Sequence, residues 1–190
     1  MRISLFVGLS LIALLSGCAN IPHTLSSTQT SSIGPYESFE GRLMVIQPNK
    51  RWQVQIQWQG TPDQGRVRLT HAASGRIVYL TWAGDHMSML DNQTSDPLPR
   101  YKSISKSELA QQGLVIRPQQ LASILQGKIP ASLKQQQTNQ WKGSLNHSLI
   151  QLEWNPQLKK LSLKDSSHGN IAILLIEHDT SKHTSKHATD

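Results

Sequence analysis

The chain has 190 residues, with 19 Lys and Arg against 12 Asp and Glu, a formal net charge of +7 and a single cysteine. That length supports one domain with a sizeable core, and one cysteine excludes an intramolecular disulfide framework. The basic residues are scattered, without clusters or interleaved aromatics, which argues against nucleic acid as a partner. A mild positive excess suits an anionic membrane surface or an acidic partner, through steering alone.

Arg2 precedes an apolar run over residues 3–15 that contains Leu5, Phe6, Leu9, Leu11, Ile12 and Leu14. The run is too short to span a bilayer comfortably and has the length of a signal-peptide core. It ends in Leu15-Ser16-Gly17-Cys18, which resembles a bacterial lipobox. Residues 1–17 are therefore expected to be a lipoprotein signal peptide, with Cys18 the acylated N-terminus. Three acyl chains, at about 0.8 kcal/mol per buried methylene, make such an anchor effectively permanent. Ala19 follows in place of Asp, which resembles the pattern of lipoproteins sent to the outer membrane in enteric bacteria, so the expected address is the outer membrane, facing the periplasm. Residues 18–37 include a Ser/Thr-rich stretch and read as the acylated end and a flexible tether.

Strands fill most of the chain beyond the tether. Residues 39–47 read as the first, and a turn at Pro48-Asn49-Lys50 leads into residues 51–59. In that second strand Trp52, Val54, Ile56 and Trp58 alternate with Gln53, Gln55, Gln57 and Gln59. A period of two over eight residues marks a strand with one apolar and one solvated face. Residues 66–70, 76–82 and 87–90 continue the meander, and 141–145, 149–154, 159–164 and 170–176 form a second set. Short turn-type connections within each set make antiparallel pairing the natural arrangement.

Two short helices interrupt the strands. Ser105-Lys106-Ser107-Glu108 has the spacing of a capping box, and that helix should end near Gly113. Pro118 suits a first helical position, and Leu121, Ile124 and Leu125 form an apolar stripe before Gly127. Two such stripes cannot cover a sheet of eight or nine strands. The sheet must curl, pair or close to bury its apolar face, and periodicity does not distinguish a filled interior from a hollow one.

No phosphate-binding glycine loop, H-E-x-x-H, C-x-x-C or G-x-S-x-G motif occurs, so no enzymatic activity, metal or cofactor is expected. His71, His86, His147 and His168 fall near turns, where solvated side chains are the ordinary finding. Residues 180–190 repeat Thr-Ser-Lys-His and read as a disordered tail without a site.

The ordered features over residues 39–176 resemble the outer-membrane lipoprotein LolB family, whose members accept lipoproteins from the periplasmic carrier LolA. Phe39-Glu40-Gly41-Arg42-Leu43-Met44-Val45 is similar to that family's opening strand. Ile56-Gln57-Trp58-Gln59 and Arg66-Val67-Arg68-Leu69-Thr70 are similar to its next two. Gly113, Ile116, Leu121, Gly127 and Pro130 are spaced like its helix-to-loop segment. Leu161-Ser162-Leu163-Lys164-Asp165 with Gly169, Ile171 and Ile173 resembles its last hairpin. The resemblance implies a mainly β domain over residues 38–179 with short α-helices, an unclosed antiparallel β-barrel curled around those helices, of the LolA/LolB kind. It further implies a monomer with a hydrophobic cavity for acyl chains, taking lipoproteins from a LolA-like carrier without a cofactor. The expected wall is Val45, Trp52, Val54, Ile56, Trp58, Leu69, Leu80, Leu121, Ile124 and Leu125. The alternative for the same residues is a filled core in an envelope lipoprotein that serves as a binding or structural module. The chain departs from the family at His71-Ala72-Ala73-Ser74-Gly75, which lacks the large apolar residue expected in a membrane-inserting loop.

Overall fold

The computed structural model describes residues 29–93, 100–114 and 116–181. The signal peptide, Cys18 and residues 182–190 of the tail lie outside the described residues.

In chain order the strands are β1 (Gln29–Thr30), β2 (Ser38–Gln47), β3 (Lys50–Gly60), β4 (Gln64–His71), β5 (Arg76–Ala83), β6 (His86–Asp91) and β7 (Lys102–Ser103). Helices α1 (Lys106–Gln111) and α2 (Pro118–Leu125) come next. Then come β8 (Lys128–Ile129), β9 (Leu133–Gln137), β10 (Gln140–Leu145), β11 (Ser148–Asn155), β12 (Lys160–Asp165) and β13 (Asn170–Asp179). The larger sheet runs β7-β6-β5-β4-β3-β2-β13-β12-β11-β10-β9, antiparallel throughout. Its two meanders meet where the long strands β2 and β13 pair at the centre. The end strands β7 and β9 do not pair with each other, so the sheet stays unclosed.

The glutamine alternation in β3 does what its period requires. Gln53, Gln55, Gln57 and Gln59 are exposed, while Ile56 and Trp58 are buried. On the outer face Gln57 Nε2 donates to Glu40 at 3.0 Å, and Arg66 Nε donates to Gln59 at 3.0 Å. Inside, Phe39 stacks on Trp58 at 5.9 Å, and Trp58 meets Trp82 at 5.1 Å. These three rings fill one part of the interior. Trp82 can sit there because Gly60 and Gly65, paired across β3 and β4, leave its ring a floor. A Cβ at Gly65 would fall 2.3 Å from the Trp82 ring. Gly41 has a similar reason in the backbone. A Cβ there would lie 2.0 Å from the Leu175 carbonyl oxygen, beside an irregularity in the β2–β13 ladder.

The helices differ in how they are held. In α2, Ala122, Ile124 and Leu125 are each buried to within 1%. Its C-terminal end is strapped by residues 29–36. Ser31 N–H donates to Gly127 O and Tyr36 N–H to Leu125 O, both at 2.9 Å, and β1 pairs with β8. Ile33, on that strap, is 1% exposed. The tether read over residues 18–37 therefore ends earlier than its Ser/Thr content suggests. Ile33 and Tyr36 supply the apolar anchors, and backbone hydrogen bonds supply the rest. At the other end, Thr180 N–H and Ser181 Oγ donate to Ser38 O at 2.9 and 3.0 Å, which places the start of the expected tail on the sheet.

Helix α1 is six residues long with one buried side chain, Leu109. Its capping box forms as its spacing predicts. Ser105 N–H donates to Glu108 at 2.7 Å, and Glu108 N–H donates to Ser105 Oγ at 3.3 Å. These bonds hold the Glu108 carboxyl below its usual range. The cap fixes where α1 starts, but Leu109 alone roots it in the interior.

Candidate functional site: an apolar cavity and its polar mouth

Both halves of the sheet turn apolar side chains toward α1 and α2, and they do not fill the space between. A cavity of about 70 Å³ remains there. Leu43, Ile56, Trp58, Val67, Leu69 and Leu80 wall it from one half, and Ile150, Leu163, Ala172 and Leu174 from the other. Leu109, Leu114, Ile116, Pro118 and Leu121 cover it from the helical segment. Every contributor except Asp165 is apolar. Strand alternation places the sheet's contributors on one face, and the curl of the sheet makes that face concave.

The structure brings five of the expected wall residues to this cavity: Ile56, Trp58, Leu69, Leu80 and Leu121. Val45, Ile124 and Leu125 are fully buried and stand outside the wall as packing residues. Val45 lies beneath Gly113, where a Cβ would come within 2.8 Å of its Cγ1. Trp52 and Val54 are half-buried against the core at the start of β3 and do not reach the cavity. Leu43 and Val67 in the first half, the whole second half, and Leu109, Leu114, Ile116 and Pro118 of the helical segment are additions to the sequence expectation. Strands β11 and β12 carry the same alternation as β3, which signals an inward face there too: Ile150, Leu152 and Trp154 are all buried, as are Leu161 and Leu163. Leu109, Leu114 and Ile116 sit in segments too short for a period to show.

Asp165 is the polar exception. It is 1% exposed, accepts from Ser167 N–H at 2.9 Å, and pairs with His168 Nδ1 at 2.7 Å. Ser148 Oγ lies 3.5 Å from that same His168 nitrogen. A serine nucleophile needs the histidine to bridge serine and carboxylate through different ring nitrogens. Here both partners share Nδ1, so the cluster has no relay geometry and acts as a polar brace, with Asp165 buried and His168 exposed. Among the described residues no group of His, Cys, Asp and Glu is arranged to hold a metal ion.

A second space, of about 450 Å³, adjoins the first. The two meet at Leu109, Leu114, Ile116 and Asp165. The outer space is more polar, lined also by Lys106, Ser107, Arg117, Asn146, His147 and His168. Arg117 is placed by α2, which it caps. Its N–H donates to Gln120 Oε1 at 3.0 Å, and Gln120 is linked to Asn146 in the β10–β11 turn.

No protein-family model matches the chain, and no curated protein matches it. Among solved structures, the chain is similar to the LolA superfamily protein NE2245 from Nitrosomonas europaea, with a TM-score of 0.39 and 11% identity. The alignment covers 76% of this chain and 86% of that one.

Proposed function

We propose that the protein is a lipid-anchored acceptor of acyl chains in the bacterial envelope, without enzymatic activity. In this reading Cys18 carries the anchor in the outer membrane. A monomer takes lipoproteins from a LolA-type carrier by binding their acyl chains, with no cofactor. The observation that carries the reading is the apolar cavity between the sheet halves, covered by a helix rooted through one leucine. The lipobox and the resemblance to the LolB family agree with it.

At about 70 Å³ the cavity is a nucleus for a site rather than a full one. Ordinary ligand pockets occupy roughly 300–1,000 Å³. Admitting a chain thus requires α1 and the residues after it to move outward. Exposing Leu109 costs about 2 kcal/mol, and partly exposing Leu114 and Ile116 costs about as much again. A buried methylene returns about 0.8 kcal/mol. Some five methylenes therefore offset the opening, on that same scale of roughly 0.8 kcal/mol each, and a long acyl chain has many to spare. Short chains leave the lid closed. Residues 71–75 lack a large apolar side chain, so the proposal covers acceptance and leaves out insertion into the membrane.

The test is transfer. The chain without residues 1–17 and with Cys18→Ala is incubated with LolA carrying a labelled lipoprotein. Label that co-purifies with this protein supports the reading. Label that stays on LolA, while a known receptor withdraws it, overturns the trafficking role.

A further inference from the structure

The polar mouth beside the cavity has a charge character that apolar packing does not explain. Lys106 and Arg117 bring two permanent positive charges to it, with the imidazoles of His147 and His168. The carboxylate in its lining, Asp165, is already engaged by His168 and Ser167. Arg117 has spare capacity. Its Nε is buried without a hydrogen-bond acceptor among the described residues, while a terminal nitrogen reaches Asp85 at 3.3 Å. That Asp85 side chain is 92% exposed, and so exposed a pair binds weakly. A buried guanidinium donor left without an acceptor is costly, and an anion seated in the mouth beside Arg117 would offer one once the side chain turns toward it.

Position matters as much as charge. Arg117 immediately precedes Pro118, which touches the apolar cavity, and both spaces share Leu109, Leu114 and Ile116. We propose that the site takes an anionic amphiphile, with its acyl chain in the apolar cavity and its carboxylate or phosphate head on Arg117, assisted by Lys106. This rests on the acyl-binding reading above and extends it to ligands with an anionic head, which the ester- and amide-linked chains of a lipoprotein do not carry. Arg117 suits either anion, because its planar fork pairs with both.

Isothermal titration of the chain with Cys18→Ala, below micelle-forming concentrations, tests the idea with three ligands of one chain length. These are palmitate, 1-palmitoyl lysophosphatidate and neutral 1-palmitoylglycerol. Both anions should bind about tenfold more tightly than the neutral lipid, equivalent to about 1.4 kcal/mol. Arg117→Gln should remove most of that preference by weakening the two anions rather than the neutral lipid, whereas Arg117→Lys should keep more of it. Lys106→Gln, on the exposed face of α1, should reduce the preference without disturbing the fold. Acetate and inorganic phosphate should fail to displace a bound chain, which separates a lipid head from a free anion; displacement by either would overturn the amphiphile assignment. Equal affinity for anionic and neutral lipids, or a preference undiminished by Arg117→Gln, would overturn the head-group inference and leave acyl binding standing. If none of the three lipids binds, acyl binding itself fails.

Discussion

Ala172→Leu distinguishes a real cavity from a packed core. Ala172 lies on β13, paired with Val45 on one side and Leu163 on the other, and its side chain helps wall the space of about 70 Å³. Leucine adds three carbons. If they enter free space, their burial is worth about 2 kcal/mol. For a chain of this size that raises Tm by roughly 4–8 °C. Acyl binding should fall at least tenfold, because the chain must compete with a covalently attached side chain. If the interior is already packed, the same change costs about 1–3 kcal/mol through overpacking, and Tm falls. Thermal denaturation followed by circular dichroism, with and without palmitate, reads both quantities. A lower Tm with palmitate binding intact would mean that the interior is packed and that the acyl chain binds somewhere else.

Leu109→Ala weakens the root of α1. It should speed hydrogen exchange in α1 and tighten binding of long acyl chains by about tenfold, as the opening cost falls; weaker binding would mean that Leu109 is a contact and not a latch. Gly41→Ala pushes a methyl into the Leu175 carbonyl at the centre of the sheet. Urea denaturation should show a loss of more than about 3 kcal/mol, at the severe end for single substitutions, and a loss under about 1 kcal/mol would contradict the close approach. Asp91 gives a pH signature. Arg76 Nε donates to it at 3.0 Å and, with Gln93 N–H, holds its carboxyl below the usual range. A lowered folded-state pKa stabilises above the unfolded value and ceases to do so as pH falls through the folded one. The stability lost in Asp91→Asn should be at most about 1 kcal/mol at neutral pH and should vanish below the carboxylate range. An unchanged difference at low pH would show that the charge is not responsible.

The strands were legible because their burial is one-sided. Ile56 and Trp58 inside, with Gln57 and Gln59 outside, is a pattern that only a two-faced strand produces. The capping box at Ser105 and Glu108 and the proline at residue 118 likewise act through local chemistry, so α1 and α2 could be placed from spacing. The short strands β1, β7 and β8 had no such signal. Each is two residues long and exists because a neighbour offers backbone partners, which no local pattern encodes. The same limit governs the site. Alternation assigns Val45 and Leu69 to one face equally, but only the curl of the sheet decides that Leu69 meets the cavity while Val45 lies under Gly113. Asp165 reads as an ordinary turn-proximal acid, and no local pattern signals that it is buried and bonded to Ser167 and His168. Arg117 is one arginine among many until α2 is in place to bury its Nε.

The most direct test of acyl binding is the affinity of the Cys18→Ala chain for a series of fatty acids of increasing length, measured by titration calorimetry. One molecule should bind, and the shortest members should show no detectable binding. Once the lid's cost is offset, each added methylene should tighten binding by about fourfold, as about 0.8 kcal/mol requires. Affinity that ignores chain length, or no binding by any member, would contradict the claim and leave the apolar face as core.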